Sequence, residues 1–167
     1  MLRSRLEKGK KMGIEIERKF LIIHNDWPRK AGKHYRQGYI SSDPRRVVRV
    51  RVVGDTGFLT IKGELSGCSC PEYEYLIPEQ DARKMLESLC VGSIIEKKRY
   101  QIPFEGFVWA VDVFERENSG LILAEVELSS EEEKLKKPDW IGEEVTGDKR
   151  FYNAYLSRHP YSEWGGW

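Results

Sequence analysis

Glu15, Glu17 and Lys19 alternate along the run 13–23, GIEIERKFLII. Successive side chains of an extended strand point to opposite faces, so two carboxylates and an ammonium line one face while Ile14, Ile16, Arg18 and Phe20 line the other. Toward water such a face is ordinary. Under cover its charges need partners or a metal. The pattern recurs: Arg49 and Arg51 share a face in VVRVRVV, Lys62 follows Phe58 and Thr60, Glu72 and Glu74 flank Tyr73, Lys97 and Arg99 flank Lys98, and Glu125 and Glu127 flank Val126. Any one of these alone reads as a solvated face, the norm for antiparallel sheets.

These residues must be placed by strands. Eight are expected, over 13–23, 33–41, 45–53, 57–64, 70–77, 93–104, 107–115 and 121–128, separated by turn signals such as Asp43-Pro44, Glu105-Gly106 and Asn118-Ser119-Gly120. A helix is expected over 79–89, between Pro78 and Gly92. Ser129 followed by three glutamates predicts a second helix over 129–135, stopped by Pro138, and 148–158 a third. Short connections favour antiparallel pairing. The fold class is therefore α+β, dominated by an antiparallel sheet.

The 167 residues suit one domain: 12 basic leader residues, a body over 13–160 and a tail over 161–167, with Met12 a candidate functional start. Lys and Arg number 28 against 27 Asp and Glu, a net charge of +1, which argues against general nucleic-acid binding. No apolar run approaches the ~20 residues of a membrane span, and the basic start lacks the apolar stretch of a secretory signal. Three cysteines, an odd number, fit reduced thiols in the cytoplasm. Cys68-Ser69-Cys70 has neither the spacing nor the second pair of a zinc site. His24, His34 and His159 are scattered, and Trp109, Phe114, Trp140, Phe151 and Tyr152 are expected as core under the helices. The sequence leaves a homodimer open.

Eight strands can close into a barrel. The charged faces would then line its lumen, and the apolar face, with Ile14, Ile16, Val48, Val50, Leu59, Ile61, Val111 and Val113, would be covered by the helices. A cavity rich in Arg and Lys suits a polyanion, and carboxylate pairs beside it suit a hard divalent cation such as Mg2+ or Mn2+. Cation and basic cradle together are what phosphoryl transfer requires.

Glu15-Ile-Glu17-Arg-Lys19 resembles the ExExK signature of the CYTH domain, also called the triphosphate tunnel metalloenzymes. Gln37-Gly-Tyr39, Arg49-Val-Arg51, Leu59-Thr-Ile-Lys62, Glu72-Tyr-Glu74, Glu96-Lys-Lys-Arg99-Tyr100, Val111-Asp112-Val-Phe114, Glu125-Val-Glu127 and the run 140–146, WIGEEVT, follow in that family's order. The resemblance, to the short single-domain bacterial branch, spans 13–160 and implies an eight-stranded antiparallel tunnel that binds a triphosphate with a divalent metal. It implies Glu15, Glu17, Glu125 and Glu127 as metal ligands with Asp112 as helper. Lys19, Arg49, Arg51, Lys62, Lys97 and Arg99 would form the phosphate cradle, and Tyr39 with Lys62 would be catalytic. Tripolyphosphate hydrolysis is the leading activity; adenylate cyclase, thiamine or nucleoside triphosphatase and a non-catalytic polyphosphate-binding module are alternatives. Cys70 stands where relatives often carry Arg, which removes a positive charge from the tunnel.

Overall fold

A computed structural model describes residues 13–165; the expected leader 1–12 and the end of the expected tail lie outside the described residues. Eight strands form the body: β1 (Ile14–Ile22), β2 (Lys33–Ser41), β3 (Arg46–Val53), β4 (Thr56–Gly63), β5 (Ser69–Ile77), β6 (Val91–Phe104), β7 (Phe107–Phe114) and β8 (Ile122–Glu127). All pair antiparallel in the order β5-β4-β3-β2-β6-β7-β8-β1, and β5 pairs back onto β1, with Glu15 opposite Cys70, so the sheet closes. This is the expected eight-stranded barrel. A ninth strand, β9 (Ile141–Glu144), which the alternation did not mark, adds to the outside edge of β1. At four residues it is too short to carry a period, and its partner is over a hundred residues away in sequence.

The outer face is covered in three different ways. Helix α1 (Glu79–Ser88) has acidic Glu79 and Asp81 in its first turn, where the helix dipole favours them, and lays Ala82 and Leu86, one turn apart, on Val50 and Val52. Over β1, β6, β7 and β8 the cover is not helical: Trp27, Leu135 and Trp140 come from loops and pack on Phe20, Trp109, Val111, Ala124 and Val126. Outside β4 and β5, none of the described residues covers Ile61, Tyr73 and Tyr75, which are exposed. The expected helical cover of the apolar face therefore holds for one side only.

Two expected helices differ. The segment 129–135 is a turn: Glu133 accepts from the Ser129 amide (2.6 Å) and hydroxyl (2.7 Å), as in a capping box, but Ser69 takes Glu131 and Leu135 packs onto the barrel. Pro138 leaves too few residues for packing to offset the cost of helix nucleation. The segment 148–158 breaks into a 3-10 turn (Lys149–Phe151) and one turn of α-helix, α2 (Asn153–Leu156). It breaks because it enters one end of the barrel. There Phe151 and Leu156 meet the lumen-facing Tyr39, Ile95, Phe114 and Leu123. The expected aromatic core accordingly divides: Trp109 and Trp140 lie outside the barrel, Phe114 and Phe151 inside its end, and Tyr152 on the cavity wall. From the tail, Trp164 sits edge-on against Phe151 (5.5 Å) and Tyr161 (5.1 Å) and holds the plug from outside. At Gly92 (φ +72°) a Cβ would come within 2.4 Å of the Ser157 carbonyl, so glycine lets that carbonyl accept from Ser93 N (2.7 Å).

The plug is expected to contribute measurably to stability. Leu156→Ala should cost about 2–5 kcal/mol, whereas Ile61→Ala, at an exposed site, should stay within about 0.5 kcal/mol; urea denaturation of both variants measures the difference.

Candidate active site

The lumen is one cavity of about 1030 Å3. Every residue expected at the site lines it except Asp112, which is fully buried in the wall. Strand alternation brings this about: residues two apart on β1, β3, β6 and β8 all face inward, and the shear of the closed sheet sets β1 acids across from β4 and β6 bases.

One continuous ionic chain crosses the wall. Lys97 donates to Asp112 (2.6 Å), Arg99 grips both Asp112 oxygens (2.6 Å each) and Glu125, and Glu125 meets Lys19 Nζ at 3.1 Å. Burial opposes ionisation of Asp112 and Glu125, but Arg99 with Lys97, and Lys19 with Arg99, hold both carboxyls below their usual range. A second group lies across the lumen. Lys62 bridges Glu15 and Glu72 (3.1 Å to Glu72), and against the opposing effect of burial it keeps Glu15 ionised. Burial and the neighbouring Glu15 push Glu72 up. Arg49 donates to Thr60 Oγ1 (3.2 Å) and Glu74 (3.4 Å).

Three groups are left under-compensated. Arg51 makes no ion pair among the described residues; burial, then Arg49 and Arg99, pull its guanidinium down to about 10, and among these residues it donates to Gln37 alone. Burial lowers the Lys97 ammonium to about 7 despite Asp112. The Glu17 carboxyl makes no hydrogen bond or ion pair among the described residues; burial, then Glu125 and Glu15, raise it to about 7. One cation therefore lacks a counterion, a second shares its one carboxylate with Arg99, and one acid lacks positive charge, within one cavity.

The four tunnel glutamates do not converge on a point. Glu15 is drawn to Lys62, and Glu125 to Lys19 and Arg99. Among the described residues, three ligand atoms within 4.8 Å of one another occur at His34, Glu96 and Glu115 on the outer face, where Arg36 and Arg116 also reach Glu96. Glu17 nevertheless fits a cation: it is an acceptor facing two other carboxylates, and a divalent ion would supply the charge it lacks. Tyr39 and Lys62, expected as a pair, have separate partners, Gln37 and the two glutamates. The Cys70 thiol lies beside Glu15 (3.7 Å), and burial raises it to about 11, so no cation stands at that position.

Sequence reasoning missed Gln37, Thr60, Tyr35, Tyr152 and Asn153 as site residues. Tyr35, Gln37 and Tyr39 do alternate on β2, and Tyr35 lies under both Arg51 (5.1 Å) and Arg99 (5.3 Å). Tyr152 and Asn153 have no periodic signal, because they are placed by the plug: Lys19 donates to the Phe151 carbonyl (3.1 Å) and Lys97 to Asn153 Oδ1 (3.0 Å).

Known proteins resemble this chain along most of its length. The chain is 52% identical over 151 residues to the inorganic triphosphatase of Acetivibrio thermocellus, covering 90% of this chain and 97% of that one. It is 38% identical over 148 residues to the inorganic triphosphatase of Nitrosomonas europaea, covering 86% and 96%. The crystal structure of the inorganic triphosphatase NE1496 superposes with a TM-score of 0.62 at 36% identity, over 86% of this chain and 93% of that one. The family model of the CYTH domain matches residues 13–152, and with relatives this similar along nearly their whole length, the chain belongs to the CYTH domain family.

Proposed function

We propose that this protein is a divalent-metal-dependent phosphoanhydride hydrolase that cleaves inorganic tripolyphosphate in the barrel lumen. One observation carries the reading: a single cavity holds cations short of negative charge, Arg51 and Lys97, beside an acid short of positive charge, Glu17. A polyanion and a divalent cation relieve both together. The relatives named inorganic triphosphatase support the same substrate.

Glu15, Glu17, Glu125 and Glu127 would hold Mg2+ or Mn2+, which supplies positive charge against the charge developing on phosphate oxygens. Lys19, Arg49, Arg51, Lys62, Lys97 and Arg99 come from four strands, so their donors are spread along the bore and suit a chain of phosphates better than a single one. Asp112, buried beneath Lys97 and Arg99 on the same inner face, would hold both in place while their remaining donors face the lumen. Lys62, held by Glu15 and Glu72, and Tyr39, one strand to the other side of Arg49, would orient the attacked phosphate. Three free thiols suit a reducing cytoplasm, and no helix among the described residues is long and apolar enough to cross a membrane.

Release of phosphate from tripolyphosphate tests the function directly. Turnover should vanish with chelator and return with Mg2+ or Mn2+, and pyrophosphate and para-nitrophenyl phosphate should be far poorer substrates, losing kcat as well as affinity. A preference for the monoester would overturn the proposal. Cation binding should also depend on pH. Glu17 must lose a proton to accept an ion, and its raised pKa of about 7 keeps that proton on in acid. Binding of Mn2+ measured by calorimetry should thus be about tenfold or more weaker at pH 5.5 than at pH 8, since each unit below the pKa costs about 1.4 kcal/mol. Finally, Arg51→Met removes a buried cation without a counterion. The ligand-free variant should melt no lower than wild type, yet bind tripolyphosphate about 1.5–3 kcal/mol more weakly; a thermal melt and a titration on the same sample separate the two effects.

A further inference from the structure

Gln37 is fully buried in the wall, and its amide bonds to three side chains, one of which leads on to Lys97. Its Oε1 accepts from Arg51 Nε (3.0 Å), and its Nε2 donates to Tyr39 Oη (3.0 Å) and to Asn153 Oδ1 (3.2 Å). Asn153 Oδ1 also accepts from Lys97 Nζ (3.0 Å). The directions of these bonds are forced. A guanidinium only donates, so Arg51 fixes which end of the Gln37 amide is oxygen, and Gln37 Nε2, which also only donates, then fixes the oxygen of Asn153. Both Nε2 hydrogens are then spent, one on Asn153 and one on Tyr39.

Tyr39 Oη is thereby made an acceptor on its wall side. Its own proton must go elsewhere, and Tyr39 lines the lumen, where its near neighbour Arg49 offers only donors. A phosphate oxygen is the acceptor that completes the chain. The choice of amides has a second consequence. Gln37 orients Arg51 without cancelling its charge, and Asn153 adds no second carboxylate to Lys97 beyond Asp112 (2.6 Å).

We propose that Gln37 and Asn153 are positioning residues of the triphosphatase: they polarise one hydrogen-bond chain so that Tyr39 donates its hydroxyl proton to the bound triphosphate, they aim Arg51 into the lumen with no carboxylate against it, and they hold Lys97 without a second carboxylate. The proposal rests on the function given above. It also assigns a role to the C-terminal segment, since Asn153 reaches the lumen only because that segment enters the barrel end.

Three substitutions test it. Gln37→Glu keeps the shape and the bond to Arg51 but cannot donate, so Tyr39 turns its proton to the wall. Its kcat should fall about tenfold or more, as in Tyr39→Phe. The double variant should fall no more than about twofold below Tyr39→Phe, because the two changes remove the same bond to phosphate. Asn153→Asp keeps every acceptor but cancels charge at Lys97, so KM should rise about tenfold with kcat within about threefold of wild type. A merely structural role would instead lower the melting temperature and move kcat and KM without this division. Wild-type kcat in Gln37→Glu, or multiplicative loss of kcat in the double variant, overturns the proposal. Should Gln37→Glu fail to fold, Gln37→Met enters the same cycle. Calorimetric binding of tripolyphosphate without metal repeats the comparison independently of turnover. There Tyr39→Phe and Gln37→Met, which adds no charge beside Arg51, should lose affinity non-additively, and an additive loss rejects the proposal. Wild-type protein that binds tripolyphosphate but never cleaves it would sink the hydrolase reading alone.

Discussion

Charges confined inside a closed sheet need one another, and that constraint organises the molecule. A barrel wall has no solvated inner face on which a lysine can be left alone, and unpaired ions cost several kcal/mol each in such a setting. The chain Lys97–Asp112–Arg99–Glu125–Lys19 meets the requirement across β6, β7, β8 and β1, and Glu15–Lys62–Glu72 meets it where β5 closes onto β1. The ion pairs tie neighbouring strands and also reach across one, from β6 to β8 and from β4 to β1, and the closing register, Glu15 opposite Cys70, brings Glu15 to Lys62.

The balance is deliberately incomplete where a ligand must act. Arg51 faces a neutral amide, Lys97 shares its single close carboxylate with Arg99, and Glu17 faces other acids. Such groups reduce the stability of the ligand-free fold and store that deficit as binding energy for the partners they lack. Apolar packing elsewhere offsets the cost. The end plug around Phe151 and Leu156 and the aromatic layer around Trp109 are the best-buried parts of the structure and lie on either side of the strands that carry the strongest ion pairs.

The asymmetric cover follows from the same logic. One barrel end is filled by the C-terminal segment, which does more than exclude water: its Phe151 carbonyl and Asn153 amide are acceptors for Lys19 and Lys97. Cores and site are therefore not separable modules here, because the residues that seal the barrel also orient its cations.

The alternation of charge with apolar residues determined the strands, their antiparallel pairing and the inward set, since period two is a local property that each strand carries by itself. Glu15, Glu17, Lys19, Arg49, Arg51, Lys62, Lys97, Arg99, Glu125 and Glu127 could be read on that basis, and all line the one cavity. What no local pattern could decide was which charge meets which. Whether Asp112 faces the lumen or supports it from the wall, whether Glu17 is paired, and whether Tyr39 meets Lys62 or Gln37 depend on barrel shear and on contacts between strands distant in sequence. Likewise 129–135 and 148–158 have the end signals of helices, yet one is a turn and the other a broken plug. Short helices are marginal alone, so the barrel surface and the barrel end, both products of tertiary closure, set their conformations.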